Sequence, residues 1–112
     1  MLYWCIRDGG VYPVNVKPII QQGRTVYRNS LGMTYSARHI RTWPELTKEQ
    51  QIKAYRNSYQ ANREDALFRL AKDPELGPQY PAWIEQLRRE RDNAISAIER
   101  GESIDPPRMI WA

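Results

Sequence analysis

The sequence contains few of the residues on which covalent or metal-centred chemistry depends. It has one cysteine, Cys5, and one histidine, His39. A single cysteine excludes a disulfide within the chain and favours a reducing cytoplasm. No HExxH, CxxC or glycine-rich phosphate loop is present, and His39 has no partner in a recognisable catalytic pattern. We therefore expect a non-catalytic protein without a metal or a cofactor.

Long hydrophobic runs are also absent. The longest one near the start, "LYWCI", is far shorter than a signal-peptide core or a membrane span. The hydrophobic fraction of 41% and the charged fraction of 27% are typical of a soluble globular protein. A length of 112 residues is enough for one modest core. These features predict a single cytoplasmic domain that makes no contact with a membrane.

Carboxylates are missing from a long part of the first half. None occurs between Gly9 and Pro44, whereas Lys17, Arg24, Arg28, Arg38 and Arg41 all lie there. The net charge of +4 therefore belongs to the first segment of the chain. Concentrated positive charge attracts anionic partners. The alternative is a mildly basic, well-solvated surface.

The pattern divides the chain into a β-rich basic segment (1–46), a helical hairpin (47–101) and a tail (102–112). In the first segment, "DGG" is typical of a tight hairpin turn, and short strand-like runs follow at regular intervals. Pro13 and Pro18 predict that the strand containing them is bent or lies at an edge. We predict an α+β fold that begins with an antiparallel meander or small open barrel of three to four short strands.

The second segment has the start and stop signals of two helices. Thr47, with a glutamine three residues later, is typical of a capping box. The first helix is expected to end near Lys72, before a stretch rich in proline and glycine. The second is expected to run from near Pro81 to near Arg100, with Gly101 as its C-terminal cap. Two helices joined by a short connection form an antiparallel hairpin.

One level of the predicted hairpin breaks the apolar seam. Matched helical rise places Asn62 opposite Arg91, whereas the neighbouring levels are apolar or aromatic. A buried polar layer destabilises a seam unless its hydrogen bonds are made. The two residues either form a structural layer or turn toward solvent, or they line a pocket for an anionic or amide-bearing ligand. Arg56 and Arg63, which share one flank of the first helix, would widen such a pocket.

The stretch "SARHIRTWPEL" joins the two segments. Ile40, Trp43 and Leu46 recur at a spacing of three, which allows them to pack inward and fasten the sheet to the hairpin. Arg38 and Arg41 share the same spacing on another side. We interpret the stretch as a joint whose two arginines are available for binding.

In size, single-cysteine composition and order of segments, the chain resembles the short orphan proteins carried by bacteriophages and mobile elements. Many of these counter bacterial defences, as anti-CRISPR inhibitors or as sponges that sequester nucleotide immune signals. The resemblance implies an anti-defence function in the host cytoplasm. It assigns no role to any residue.

Two functions from different classes follow. The first is a homo-oligomeric binder of a phosphate-bearing small molecule or a nucleic acid, in which arginines hold phosphates and an aromatic ring stacks on a base. The second is a protein–protein inhibitor of a host defence protein, acting through an edge strand, the hairpin face or the apolar tail residues Met109, Ile110 and Trp111. The predicted ligand-binding residues are Arg28, Arg38, Arg41, Trp43, Arg56, Asn62, Arg63 and Arg91.

Overall fold

A computed structural model describes residues 2–108 of the protein, so the tail residues Met109, Ile110 and Trp111 lie outside the described part. Two three-stranded antiparallel sheets precede two α-helices, which confirms the α+β class. The strands are β1 (Leu2–Arg7), β2 (Gly10–Asn15), β3 (Lys17–Gln21), β4 (Arg24–Arg28), β5 (Thr34–Ser36) and β6 (Ile40–Arg41). The helices are α1 (Lys48–Lys72) and α2 (Tyr80–Glu99).

The two sheets are open and follow each other directly in the chain. One has the strand order β2-β1-β6 and the other β3-β4-β5. Only Val16, which is buried, separates β2 from β3, so the run predicted as one strand bends there and passes from one sheet to the next. Pro13 and Pro18 lie in the edge strands β2 and β3, as their missing N–H donors require. This split, together with the two-residue β6, is why the structure has more strands than predicted.

Two tight turns set the register of the sheets. Asp8 and Gly9 have φ angles of 50° and 75°, and Gln22 and Gly23 have φ angles of 51° and 74°. Positive φ at both central residues is typical of the two-residue type I′ turn, whose twist matches that of the flanking strands. Glutamine is an unusual choice for this conformation, because an L side chain is crowded there.

We expect the substitution Gln22→Asn to raise the free energy of unfolding by about 0.5–1 kcal/mol, because asparagine tolerates the left-handed conformation better than glutamine. Chemical denaturation of the two chains measures the difference. The matched control is Gln21→Asn in β3, where the same change of side chain meets an extended backbone. Equal effects at the two positions would contradict this explanation.

Strand β1 is covered on both faces. Trp4 belongs to a buried cluster with Val11, Leu46 of the joint and Ala54 of α1. The opposite face carries Cys5, which is fully buried. The same face carries the neighbouring Tyr3, whose ring lies 5.1 Å from that of Tyr27 in the second sheet. The core therefore has one layer between sheet and helices and another between the two sheets.

The joint packs inward as predicted. Ile40 and Leu46 are buried, and the partly buried Trp43 packs against Trp4 with ring centroids 5.2 Å apart. Two short 3-10 helices (37–39 and 43–45) flank β6. Sequence reasoning missed β6 because two residues are too few to show an alternating pattern.

The helical hairpin begins and ends close to the predicted positions. The Thr47 hydroxyl accepts a hydrogen bond from the Gln50 backbone N–H, and the Gln50 side chain accepts one from the Thr47 N–H. Gly101 follows α2 with a φ angle of 83°, as a left-handed cap requires. The end of α2 returns to the start of α1, where Gly101 lies beside Lys48.

Candidate functional site

A groove on the outer surface of the hairpin gathers three of the predicted arginines. Arg56 and Arg63 project from α1 and Arg91 from α2, around a volume of about 610 Å³. On α1, residues spaced by three and four share one helix face, which places the two α1 arginines in line. The lining residues are Arg56, Tyr59, Gln60, Arg63, Arg91, Asp92, Ile95 and Ser96.

The positive charge of this groove is only partly neutralised. Arg91 pairs with Asp92 at 2.9 Å, and its guanidinium carbon lies 4.3 Å from the centre of the Tyr59 ring. Within residues 2–108, Arg56 and Arg63 are exposed and form no ion pair or side-chain hydrogen bond. Two unpaired guanidinium groups, with up to five N–H donors each, therefore face solvent on one side of the hairpin.

Other arginines on the same helices are engaged in ion pairs. Arg69 contacts Asp65 at 2.9 Å in α1, and Arg88 contacts Glu85 at 2.6 Å in α2. The Arg88 guanidinium holds the pKa of the Glu85 carboxyl below its usual range. This contrast distinguishes Arg56 and Arg63 from an ordinary solvated helix surface.

Asn62 lies in a separate, smaller cavity of about 30 Å³ on the other side of Tyr59 and Arg91, which line both spaces. Asn62 and Arg91 thus line the same cavity, as the predicted hairpin register requires. Asn62 is 6% exposed, and its Nδ2 donates to the Arg108 carbonyl at 3.3 Å. Its Oδ1 is buried and has no hydrogen-bond partner among residues 2–108. Asn62 therefore does not turn toward solvent.

Residues 102–108 are here called the strap, and two of them, Pro107 and Arg108, form part of the wall of this smaller cavity. The strap also explains the position of Trp43. The indole Nε1 of Trp43 donates to the Ile104 carbonyl at 2.8 Å, and its ring contacts those of Trp4 and Tyr55. Trp43 thus packs in the core and under the strap, and it does not line the groove.

The remaining predicted residues lie on the β-rich segment. Arg28 is directly opposite Lys17 across the β3–β4 ladder, and both line a hollow of about 360 Å³ on the second sheet. Arg41 donates from Nη1 to the carbonyls of Arg38 and Ile40, each at 2.9 Å, so its side chain holds the joint. Arg28, Arg38 and Arg41 do not line the helical groove.

Sequence reasoning missed four polar or aromatic residues of the groove, namely Tyr59, Gln60, Asp92 and Ser96. The signal for Tyr59 and Gln60 was present, because both lie three or four residues from Arg56 and Arg63 on α1. Asp92 and Ser96 depend on how α2 rotates against α1, which the apolar stripe fixes only approximately.

No protein-family model matches the sequence, and neither a curated protein nor a solved structure matches the chain. In the part of the chain that the structure describes, no group of three or more metal-binding side chains is placed to hold an ion. Neither α1 nor α2 is apolar enough over its length to cross a membrane. Function is therefore inferred from the groove itself.

Proposed function

We propose that the protein is a non-catalytic binding protein that sequesters a small phosphate-bearing ligand of the nucleotide type in the helical groove. The observation that supports this most strongly is the convergence of Arg56, Arg63 and Arg91, two of which have no carboxylate partner in residues 2–108. The planar guanidinium group matches the geometry of phosphate oxygens and binds them through paired, charge-assisted hydrogen bonds.

The dimensions of the groove favour a small ligand over an extended nucleic acid. A volume of about 610 Å³ lies within the range of small-molecule sites, about 300–1,000 Å³. Nucleic acids bind along a continuous basic track. The basic hollow around Lys17 and Arg28 is a separate cavity with none of the groove's lining residues.

The uncharged side chains of the groove suit the other parts of a nucleotide. In this proposal, Arg56 and Arg63 hold the phosphate oxygens. Gln60 offers an amide that both donates and accepts, and Ser96 offers a hydroxyl, which suits a base edge or a sugar hydroxyl. The Asp92 carboxylate accepts hydrogen bonds only and also keeps Arg91 in place.

The proposed biological role is that of an anti-defence protein of a phage or mobile element, which removes a nucleotide immune signal in the host cytoplasm. We further propose that it acts as a homo-oligomer. The groove lies on the surface of one chain, and a second copy would cover a bound ligand and remove it from water. Charge-assisted hydrogen bonds become stronger as the local dielectric constant falls.

The experiment is a thermal-unfolding screen of the purified protein against cyclic nucleotides, ADP-ribose derivatives and short oligonucleotides. A ligand that binds only the folded chain stabilises it by mass action, by about 2.7 kcal/mol at a hundredfold excess over Kd. We expect a clear rise in Tm with at least one small nucleotide. A response to oligonucleotides alone, with steep salt dependence, would contradict the small-ligand proposal.

A second candidate function is the protein–protein inhibitor or adaptor, which exposed apolar side chains on α1 favour. Leu67 and Phe68 are 46% and 59% exposed on consecutive positions of that helix. Exposed apolar patches mark interaction surfaces. No melting shift with any member of the panel, combined with specific retention of a host defence protein, would favour this second function.

A further inference from the structure

The first part of the strap is held by two aromatic side chains that donate hydrogen bonds to its backbone. The Trp43 Nε1 donates to the Ile104 carbonyl at 2.8 Å, and the Tyr55 hydroxyl donates to the Asp105 carbonyl at 2.5 Å. Burial raises the pKa of Tyr55, with further contributions from the Asp105 and Glu90 charges, so its hydroxyl remains a donor. Both acceptors are backbone carbonyls, which every residue type carries.

The end of the strap is held in the same way by α1. The Ser58 Oγ and the Asn62 Nδ2 donate to the Arg108 carbonyl at 3.5 Å and 3.3 Å. The contacts advance along α1 from Tyr55 to Asn62 as the strap advances from Asp105 to Arg108. The strap therefore runs along α1 in the same direction, and four side-chain donors hold three of its carbonyls.

Two consecutive prolines determine the conformation of the strap. Pro106 and Pro107 have φ fixed near −65° and no N–H group, and they bias the preceding residue toward an extended conformation. Pro107 is buried and lines the smaller cavity together with Tyr55 and Tyr59 of α1. An extended proline-containing segment on an aromatic-lined surface is a recurring mode of peptide recognition.

Two further features of the surface under the strap bear on which peptide segment it accepts. Arg108 contacts Glu90 of α2 at 3.0 Å, so the basic side chain after the prolines lies beside a carboxylate. The buried Asn62 Oδ1 has no partner among residues 2–108, so the strap leaves one hydrogen-bond acceptor at this cavity unused. Hydrogen bonds to backbone carbonyls, packing of a proline and an ion pair therefore occur together where the strap lies on the hairpin.

From this arrangement we propose that the surface of the hairpin under the strap is a peptide-binding site, distinct from the helical groove. Its ligand is an extended segment with two prolines followed by a basic residue, supplied by a partner protein. The strap occupies the peptide-binding site in cis as an internal ligand. This inference does not depend on the proposed nucleotide function, because Tyr59 and Arg91 separate the two spaces.

The strap is part of the same chain as the hairpin, which explains why it fills the peptide-binding site in the isolated protein. A tethered segment competes at an effective concentration in the millimolar range for a short linker. A peptide in trans therefore binds only weakly until the strap is loosened. Loosening the strap exposes the site in a larger fraction of the chains. We expect the apparent affinity for the peptide to rise in proportion to that fraction.

The test uses the full chain and a fluorescent peptide of residues 102–108, "ESIDPPR". In the variant with Pro106→Gly and Pro107→Gly, the strap loses its preformed conformation and the contact of Pro107. We expect fluorescence anisotropy to show at least a tenfold lower Kd for the peptide with this variant than with the parent chain. A control peptide with both prolines replaced by glycine should bind neither chain tightly.

A second variant protects the test against a folding defect. Arg108→Glu changes an exposed side chain and places two carboxylates at the Glu90 contact. It should raise peptide affinity several-fold without changing the circular dichroism spectrum. Adding Tyr55→Phe to either loosened chain should weaken peptide binding several-fold, because the donor to the second strap carbonyl is lost.

Either of two results would overturn the proposal. One is a folded, cooperatively melting loosened chain that binds neither peptide, or binds both equally. The other is a dimeric parent chain that becomes monomeric when the two prolines are replaced. The natural occupant of the peptide-binding site would then be the strap of a second copy and not a partner protein.

Discussion

Replacing Trp4 by alanine is expected to lower the free energy of unfolding by about 3–5 kcal/mol, the range for deletion of a buried aromatic side chain. Trp4 is 1% exposed and lies where the first sheet, the joint and α1 meet. Its ring also contacts Trp43, which in turn holds the strap. One substitution therefore opens a cavity and loosens three elements. A small domain has only about 5–15 kcal/mol of stability in total, so the loss is a large fraction of it.

Chemical denaturation followed by tryptophan fluorescence and circular dichroism measures this loss. The matched control is Leu31→Ala, because Leu31 is an apolar side chain that is 84% exposed. We expect the control to change stability by no more than about 0.5 kcal/mol. Similar losses for the two variants would show that the cluster around Trp4 is not the core.

The double variant Arg56→Glu and Arg63→Glu is expected to weaken binding by about 10²–10⁴-fold for the panel nucleotide that gives the largest melting shift. Hydrogen bonds to charged groups contribute about 1.5–3 kcal/mol each, and each 1.4 kcal/mol changes Kd tenfold. Both side chains are exposed and form no ion pair within residues 2–108, so the fold is expected to survive. Titration calorimetry of parent and variant measures the effect.

The control for this prediction must carry the same change in net charge. Arg24→Glu with Lys72→Glu reverses two exposed cations that do not line the groove. We expect this control to weaken binding less than tenfold, through the general field of the protein alone. If the control and the groove variant lose affinity equally, binding depends on overall charge and the groove has no specific role.

The helices could be predicted closely from the sequence because their signals are local. Thr47 supplies the N-terminal cap and Gly101 the C-terminal cap, and each acts within one turn of its own helix. For the sheets, the sequence predicted antiparallel strands but not their division into two sheets. The bend at Val16 and the pairing of β6 with β1 depend on contacts between distant parts of the chain. A local pattern cannot reveal such contacts.

The site was predicted in part for the same physical reason. The sequence placed Arg56 and Arg63 on one helix flank and Asn62 opposite Arg91, because helical geometry fixes both relations. It did not reveal that Tyr59 and Arg91 divide the space into two. The lack of helical ion pairs at Arg56 and Arg63 could have been read from the sequence, because neither has a carboxylate three or four residues away. Trp43 combined a core signal and a binding signal, and only the structure places it under the strap.

The most direct test of the helical groove is a two-dimensional ¹⁵N–¹H NMR titration of the parent chain with the nucleotide that gives the largest melting shift. The proposed function predicts that the strongest saturable changes occur at Arg56, Gln60 and Arg63 of α1 and at Arg91 and Ser96 of α2. Changes centred instead on Lys17 and Arg28 of the second sheet, with the helical groove unaffected, would contradict it.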